Sequence, residues 1–78
     1  MDPIKFLHAA TSLNRVKLDF FSRLSTETLI ESLRPGTLGA LKTRPDGTLL
    51  DGHHRLQVLA TRAVNINELP REIIEKET

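Results

Sequence analysis

Apolar and polar positions along the chain change spacing several times, which predicts an alternation of short helices and strands. Asp2 and Pro3 suit an N-cap and a first helical position, so the first helix is predicted to begin there and to end near Asn14. The apolar positions of that helix are Ile4, Phe6, Leu7, Ala9, Ala10 and Leu13. Because they cover more than one side, the helix is expected to pack on a second chain as well as on its own core.

A strict alternation follows in VKLDF, residues 16–20, and predicts a short strand. The next segment, LSTETLIESLRPG, predicts a helix with Ser25 as its N-cap and Glu27 near its positive end. Leu24 would pack on Leu29 as a hydrophobic staple. The dipeptide Pro-Gly at 35–36 predicts the end of this helix.

The second half of the chain predicts a hairpin followed by another helix. Residues 38–43 and 48–50 read as strands, and Arg-Pro-Asp-Gly at 44–47 has the residues of a tight turn. Helical spacing then resumes after Gly52, with apolar positions at Leu56, Leu59, Ala60 and Ala63. An extended fragment at 64–66 and a closing helix at 69–76 complete the order α-β-α-β-β-α-β-α. We therefore expect one α+β domain over residues 1–78, with a short mixed sheet packed against helices.

Composition narrows the class of protein. The chain has 78 residues, no cysteine and a formal net charge of +1. Thiol chemistry and disulfides are thus excluded, and no concentrated positive charge favours nucleic acid. No apolar run is long enough to span a membrane, and the first residues lack the pattern of a signal peptide, so a cytoplasmic protein is expected. A core this small also favours a homo-oligomer.

The chemistry-bearing residues gather in DGHHR, namely Asp51, Gly52, His53, His54 and Arg55. They lie where a strand is predicted to lead into a helix. Helix starts have unpaired N–H groups and partial positive charge, and an arginine can bind two phosphate oxygens at once. The sequence therefore predicts a phosphate-binding or nucleotide-binding turn formed by these five residues.

Other interpretations of the same stretch stay open. Asp51 would cap the helix with its own carboxylate, His53 would be partly buried, and Arg55 would pair with a surface carboxylate. A metal site built from Asp51, His53 and His54 is a weaker alternative, because adjacent histidines on a helix point about 100° apart. Arg55 would also form a basic patch with Arg44 and Arg62, unless these arginines are simply solvated.

From Ser25 to Leu69 the chain resembles the ParB/sulfiredoxin-like superfamily, through STETLIESLRPG, LGALKTR, PDG, TLL, DGHHRLQVLATRA and VNI. The resemblance implies that the turn binds nucleotide phosphates, with Gly52 allowing close approach and with His54 and Arg55 contacting the phosphate. Asp51 and His53 match the serine-kinase-like form of the motif. A nucleotide with Mg²⁺ is the ligand this suggests, although the chain gives no indication of the ligand's identity.

Departures from the family pattern limit what the resemblance implies. His53 occupies the position where sulfiredoxins need a cysteine, so that activity is excluded. The Gly-Glu-Arg-Arg motif and the DNA-binding domain of chromosome-partitioning members are not seen. Glu27 and Glu31 are candidate catalytic carboxylates only by their place in the fold, and solvated helix positions are the alternative. Catalysis is left open, and the competing hypothesis is a non-catalytic interaction or regulatory module with a protein partner.

Overall fold

A computed structural model describes residues 3–6 and 13–75. Within them the chain forms three α-helices, three strands and one 3₁₀ turn. The helices are α1 (Arg15–Ser22), α2 (Thr26–Ser32) and α3 (His53–Thr61), the 3₁₀ turn is Ile66–Glu68, and the strands are β1 (Lys42–Thr43), β2 (Leu49–Asp51) and β3 (Glu72–Ile73). The predicted α+β class is confirmed, since the strands form one mixed sheet in the order β2-β1-β3.

The sheet joins one antiparallel and one parallel pair, β1 with β2 and β1 with β3. Residues 3–6 lie beside β2, where the Lys5 N–H donates to the Gly47 carbonyl at 2.8 Å and the Leu49 N–H donates to the Lys5 carbonyl at 2.8 Å. The helix predicted from Asp2 is therefore wrong over residues 3–6, because pairing with β2 outweighs the local helix signals. Residues 2 and 7–12 of that prediction lie outside the described residues, and residues 13–14 are not helical but precede α1.

Residues 16–20 are helical, so the strand predicted there is wrong. The side chain of Asn14 caps the helix, since its Oδ1 accepts from the N–H of Val16 at 2.9 Å and of Lys17 at 3.2 Å. Leu18 and Phe21, three positions apart, pack against the core. Val16 is 79% exposed, which shows that the alternation over 16–20 did not mark a buried face.

The helix predicted after Ser25 is confirmed as α2. The Ser25 Oγ accepts from the Thr28 N–H at 3.1 Å, and Leu29 is fully buried. Leu29 belongs to the buried core and the partly buried Leu24 packs against that core, which is consistent with the predicted hydrophobic staple. The helix ends at Ser32, before the Pro-Gly pair at 35–36.

The tight turn between β1 and β2 is also confirmed. The Gly47 N–H donates to the Arg44 carbonyl at 2.9 Å, and Gly47 has a φ of +93°. Asp46 Oδ1 accepts from the Thr48 N–H at 2.9 Å, and these hydrogen bonds with Thr48 hold the pKa of Asp46 below its usual value. The first strand is shorter than predicted, because residues 38–41 are not part of it and Leu38 is fully exposed.

The C-terminal third differs most from the sequence prediction. The extended fragment predicted at 64–66 is instead a loop leading into the 3₁₀ turn. The helix predicted at 69–76 is wrong over residues 69–75, where residues 72–73 form β3. The Glu72 N–H donates to the Leu41 carbonyl and the Ile74 N–H to the Thr43 carbonyl, both at 2.8 Å. Residue 76 of that prediction lies outside the described residues. The reason is tertiary, since the open side of β1 offers hydrogen-bond partners that a short isolated helix could not replace.

The core is almost entirely leucine. Its fully buried leucines are Leu29 on α2, Leu41 just before β1, Leu49 on β2, and Leu56 and Leu59 on α3. Such a core positions α3 against the sheet and against both other helices. None of the helices within residues 3–6 and 13–75 has the length and hydropathy needed to cross a membrane.

Candidate functional site

The DGHHR residues lie at the junction of β2 and α3, as the sequence predicted for a strand leading into a helix. Asp51 is the last residue of β2 and is exposed, with its Oδ2 3.8 Å from the Lys42 Nζ. Gly52 is the N-cap of α3 and has a φ of +101°. Chain direction therefore changes at one buried glycine, and the three residues after it form the first turn of α3.

Glycine is required at position 52 for two reasons. A side chain would be strained at this φ, and a Cβ there would lie 3.1 Å from Leu33 Cδ2 and 3.6 Å from Leu41 Cδ1. The sequence predicted that Gly52 lets a ligand approach the backbone closely. On the side where a Cβ would lie, the groups that approach are instead leucines of the core. Gly52 thus lets the end of β2 pack directly on Leu33, the C-cap of α2, and on Leu41, the residue before β1.

The start of α3 differs from the other described helix starts in having no capping side chain. Asn14 caps α1 and Ser25 caps α2, whereas Gly52 makes no side-chain hydrogen bond. The interpretation in which Asp51 is the N-cap is wrong, because Gly52 takes that position and Asp51 is the last residue of β2. The N-cap therefore supplies no acceptor to the backbone N–H groups of the first turn, which carry the partial positive charge of the helix.

The two histidines face different surroundings. His53 is half-buried, and its ring meets the ring of Phe6 edge-on, with centroids 6.4 Å apart and planes at 72°. His54 Nε2 accepts a hydrogen bond from the backbone N–H of Asn14 at 3.1 Å. Burial and the nearby charge of Lys17 lower the pKa of His54 below 6.5. Because Nε2 accepts the Asn14 N–H, the ring in this arrangement is the neutral tautomer that carries its proton on Nδ1.

Arg55 is partly buried and reaches across to the end of α2. Its Nη1 donates to the Ser32 carbonyl at 3.0 Å and to the Ser32 Oγ at 3.2 Å. Burial lowers the pKa of Arg55, while the carboxylate of Asp51 raises it. Because Ser32 is the last residue of α2, the guanidinium binds a carbonyl at the negative end of that helix.

Two residues of this arrangement, Ser32 and Gly39, were missed by sequence reasoning. A Cβ on Gly39 would lie 2.9 Å from Arg55 Nη1 and 3.3 Å from the Ser32 carbonyl oxygen, so only glycine leaves room for the contact. A signal was present, because an isolated glycine inside a predicted strand often marks a close approach of another group. Nothing in the sequence showed which group approaches.

Arg62 makes the corresponding contact at the other end of α3. Its Nη2 donates to the carbonyls of Ser22 and Leu24, both at 2.8 Å, and its Nη1 donates to Thr26 Oγ1 at 3.1 Å. Arg55 and Arg62 are thus each directed at protein acceptors near the end of another helix. Neither the shared basic patch nor full solvation describes them.

The carboxylates and imidazoles of the described residues do not gather around a common point. No group of three or more His, Asp or Glu side chains in this part of the chain is placed to hold a metal ion. Glu27 is an exposed residue in the first turn of α2, and Glu31 pairs with Arg34 at 3.1 Å. Both positions fit the solvated-helix interpretation of these glutamates.

Comparisons with protein-family models, curated proteins and solved structures found no match to this chain.

Proposed function

We propose that the turn from Asp51 to Arg55 binds the phosphate group of a ligand, and that a nucleotide is the ligand class, as the ParB/sulfiredoxin-like resemblance implies. The observation that supports the proposal most directly is the start of α3. Gly52 has no side chain to accept from the first-turn N–H groups, so an anion would meet no competing cap there.

Arg55 supplies the cation nearest to that helix start. Its Nη1 is held by Ser32, and this contact fixes the orientation of the guanidinium. Its Nη2 lies 3.9 Å from the Cβ position of Gly52 and makes no hydrogen bond with the described residues. A guanidinium that is already held in place loses little side-chain entropy when it binds a phosphate. It is therefore better suited to phosphate binding than a mobile lysine would be.

Asp51 is the feature that opposes an anion at this turn. Its carboxylate is close enough to Arg55 to act on the pKa of the guanidinium, and it would repel a phosphate. Mg²⁺ removes this conflict, because that ion is commonly bound by one carboxylate together with substrate phosphates. We therefore expect a nucleotide with Mg²⁺ to bind more tightly than inorganic phosphate alone. His54, being neutral, would add a hydrogen-bond donor at Nδ1 rather than a charge.

A titration of the protein with ATP, ADP, CTP and inorganic phosphate, with and without Mg²⁺, tests this proposal. Backbone amide shifts measured by NMR should change saturably at residues 52–55 and little elsewhere. Arg55→Met should weaken binding at least tenfold. The control Arg34→Met removes an exposed arginine just after the end of α2 and should leave binding unchanged. Unchanged spectra of residues 52–55 at millimolar ligand would rule the proposal out.

A non-catalytic interaction module is the second candidate, and a different observation favours it. Val16 and Phe20, one turn apart on α1, are 79% and 58% exposed. Large apolar side chains grouped on a surface favour contact with another protein. Sedimentation velocity over a hundredfold range of concentration, repeated with Phe20→Ser, distinguishes self-association through this surface from a monomer.

A further inference from the structure

Helix α1 is held against α3 at two points by polar side chains. Near its start, the Asn14 N–H donates to His54 Nε2 at 3.1 Å. Near its end, the Ser22 carbonyl accepts from Arg62 Nη2 at 2.8 Å. Asn14 and His54 lie at the N-terminal ends of their helices, whereas Ser22 and Arg62 lie at the C-terminal ends, so α1 and α3 run side by side in the same direction. The two contacts are separated by about two helical turns.

These two contacts have opposite chemistry. Arg62 is a donor whose charge persists at every pH at which the protein would be studied. His54 acts as an acceptor, and only the neutral ring can accept at Nε2. Adding a proton to Nε2 turns it into a donor facing another donor, the Asn14 N–H. Only the contact at the start of α1 can therefore be broken by a change of pH.

We infer that His54 is a pH-sensitive latch, whose protonation releases the start of α1 from α3 while Arg62 keeps the end of α1 in place. Asn14 is central to this device because it contributes twice. Its backbone N–H is held by His54, and its side chain caps α1. Displacing Asn14 thus also disturbs the first turn of the helix.

The charges around the imidazole favour release once the ring is protonated. Lys17, on α1, acts electrostatically on His54 and disfavours the imidazolium. Arg55, the next residue of α3, is directed toward Ser32. The exposed carboxylates on the other elements packed against α3 are Glu27 and Glu31 on α2 and Glu68 in the 3₁₀ turn, and none of them acts on His54. The carboxylate on α1 itself is that of Asp19, which pairs with Arg23 at 3.0 Å. Within the described residues, Lys17 is therefore the charged group that acts on His54, and its charge opposes the protonated ring.

The packing of α1 makes such a release feasible. None of its residues is fully buried, and its contact with the core is made by the half-buried Leu18 and Phe21. Elements with few buried apolar contacts open locally more often than core elements do. We expect α1 to pivot about its C-terminal end, where Arg62 also binds the Leu24 carbonyl at 2.8 Å.

Measurement of the ¹⁵N shifts of the His54 ring in the wild-type protein gives the first test. At pH 8 the proton should lie on Nδ1, because Nε2 accepts from Asn14. On lowering the pH to 5, the ring should become protonated with a midpoint below 6.5, and the Asn14 amide should shift with the same midpoint. The Leu18 N–H, which donates to the Asn14 carbonyl at 3.0 Å, should lose protection from hydrogen exchange about 2- to 10-fold, as expected for one neutral hydrogen bond.

Three variants complete the experiment. His54→Gln should remove the shared transition, Lys17→Gln should raise its midpoint, and the neighbouring control His53→Gln should leave it in place. The inference is overturned if the proton lies on Nε2 at pH 8, or if Asn14 and Leu18 do not follow the titration of His54. Both outcomes are read in the wild-type protein, so a variant that fails to fold does not prevent the decision.

Discussion

The two ends of α3 are both joined to α1 by hydrogen bonds, but through side chains of different chemistry. At the C-terminal end, Arg62 binds two carbonyls and one hydroxyl of the segment that joins α1 to α2. At the N-terminal end, α3 begins at an uncapped glycine, and His54 accepts a single hydrogen bond from α1. At the C-terminal end, the permanently charged Arg62 is bound to acceptors of the same chain. At the N-terminal end, the backbone N–H groups of the first turn receive no hydrogen bond acceptor from the N-cap side chain.

This difference bears on which end of α3 the proposed ligand would meet. Arg62 binds three acceptors of its own chain, so it stabilises the fold and offers little to a ligand. The first turn of α3 combines backbone donors, a fixed guanidinium and an imidazole whose pKa is lowered by burial and by Lys17. A ligand or a proton would therefore act at the N-terminal end, while the C-terminal end keeps α1 in place.

The largest effect is expected at the glycine that begins α3. Gly52→Ala places a Cβ at a φ of +101° and 3.1 Å from Leu33 Cδ2, and should lower the free energy of unfolding by about 2–3 kcal/mol. Gly36→Ala is the matched control, since its φ is +91° but nothing lies within 4 Å of the added atom, and about 1 kcal/mol is expected. Urea denaturation measures both. If both variants lose the same free energy of unfolding, the contact with Leu33 does not contribute to the effect at Gly52.

Removing the charged contact at the other end should cost nearly as much. Arg62→Met leaves the carbonyls of Ser22 and Leu24 without their donor and should lower the free energy of unfolding by about 2 kcal/mol. Arg34→Met, which removes an exposed ion pair with Glu31, should cost less than about 0.5 kcal/mol. If the two variants unfold at the same urea concentration, the hydrogen bonds of Arg62 do not stabilise the fold more than an exposed ion pair does.

Ligand binding should stabilise the protein through the N-terminal end alone. A ligand at about ten times its Kd raises the free energy of unfolding by about 1.4 kcal/mol. Thermal unfolding with and without MgATP should show this increase in wild-type protein and in Arg62→Met, but not in Arg55→Met. A stabilisation lost in Arg62→Met and kept in Arg55→Met would place the ligand at the wrong end of α3.

The smallest effect expected is the pH dependence due to His54. Because burial and Lys17 lower the pKa of His54 in the folded protein, the folded state binds fewer protons than the unfolded state just below pH 6.5. Stability from this group is therefore complete above pH 6.5 and decreases as the pH falls through the lowered pKa. We expect a loss of about 1 kcal/mol or less, the size of one neutral hydrogen bond. His54→Gln should flatten this part of a stability curve measured from pH 8 to 5, and Arg62→Lys should leave it unchanged.

Local signals were reliable where a side chain acts on its own neighbours in sequence. Ser25 capping α2 and the turn ending at Gly47 both depend on contacts within four residues, and both were predicted correctly. The position of DGHHR between a strand and a helix was predictable for the same reason. The prediction that this turn binds phosphate rests on residue chemistry and resemblance, and it remains a prediction.

Elements whose state depends on a distant partner were not predictable. Residues 3–6 and 72–73 are extended because they pair with β2 and β1, although helical signals are present in both segments. Residues 15–22 are helical although they alternate, because Asn14 caps them and Leu18 and Phe21 meet the core. Short elements of this length have little intrinsic stability, so tertiary contacts decide between helix and strand.

By itself, the sequence determined the α+β class, the cap of α2, the β1–β2 turn and the place of DGHHR. Each of these follows from backbone chemistry over a few residues. Only the tertiary structure decided that Arg55 and Arg62 turn inward, that Gly39 makes room for Arg55, and that His54 accepts from Asn14. Those contacts join residues at least sixteen positions apart, as with Gly39 and Arg55. These contacts form only when the elements pack together, and residue spacing along the chain does not predict that packing.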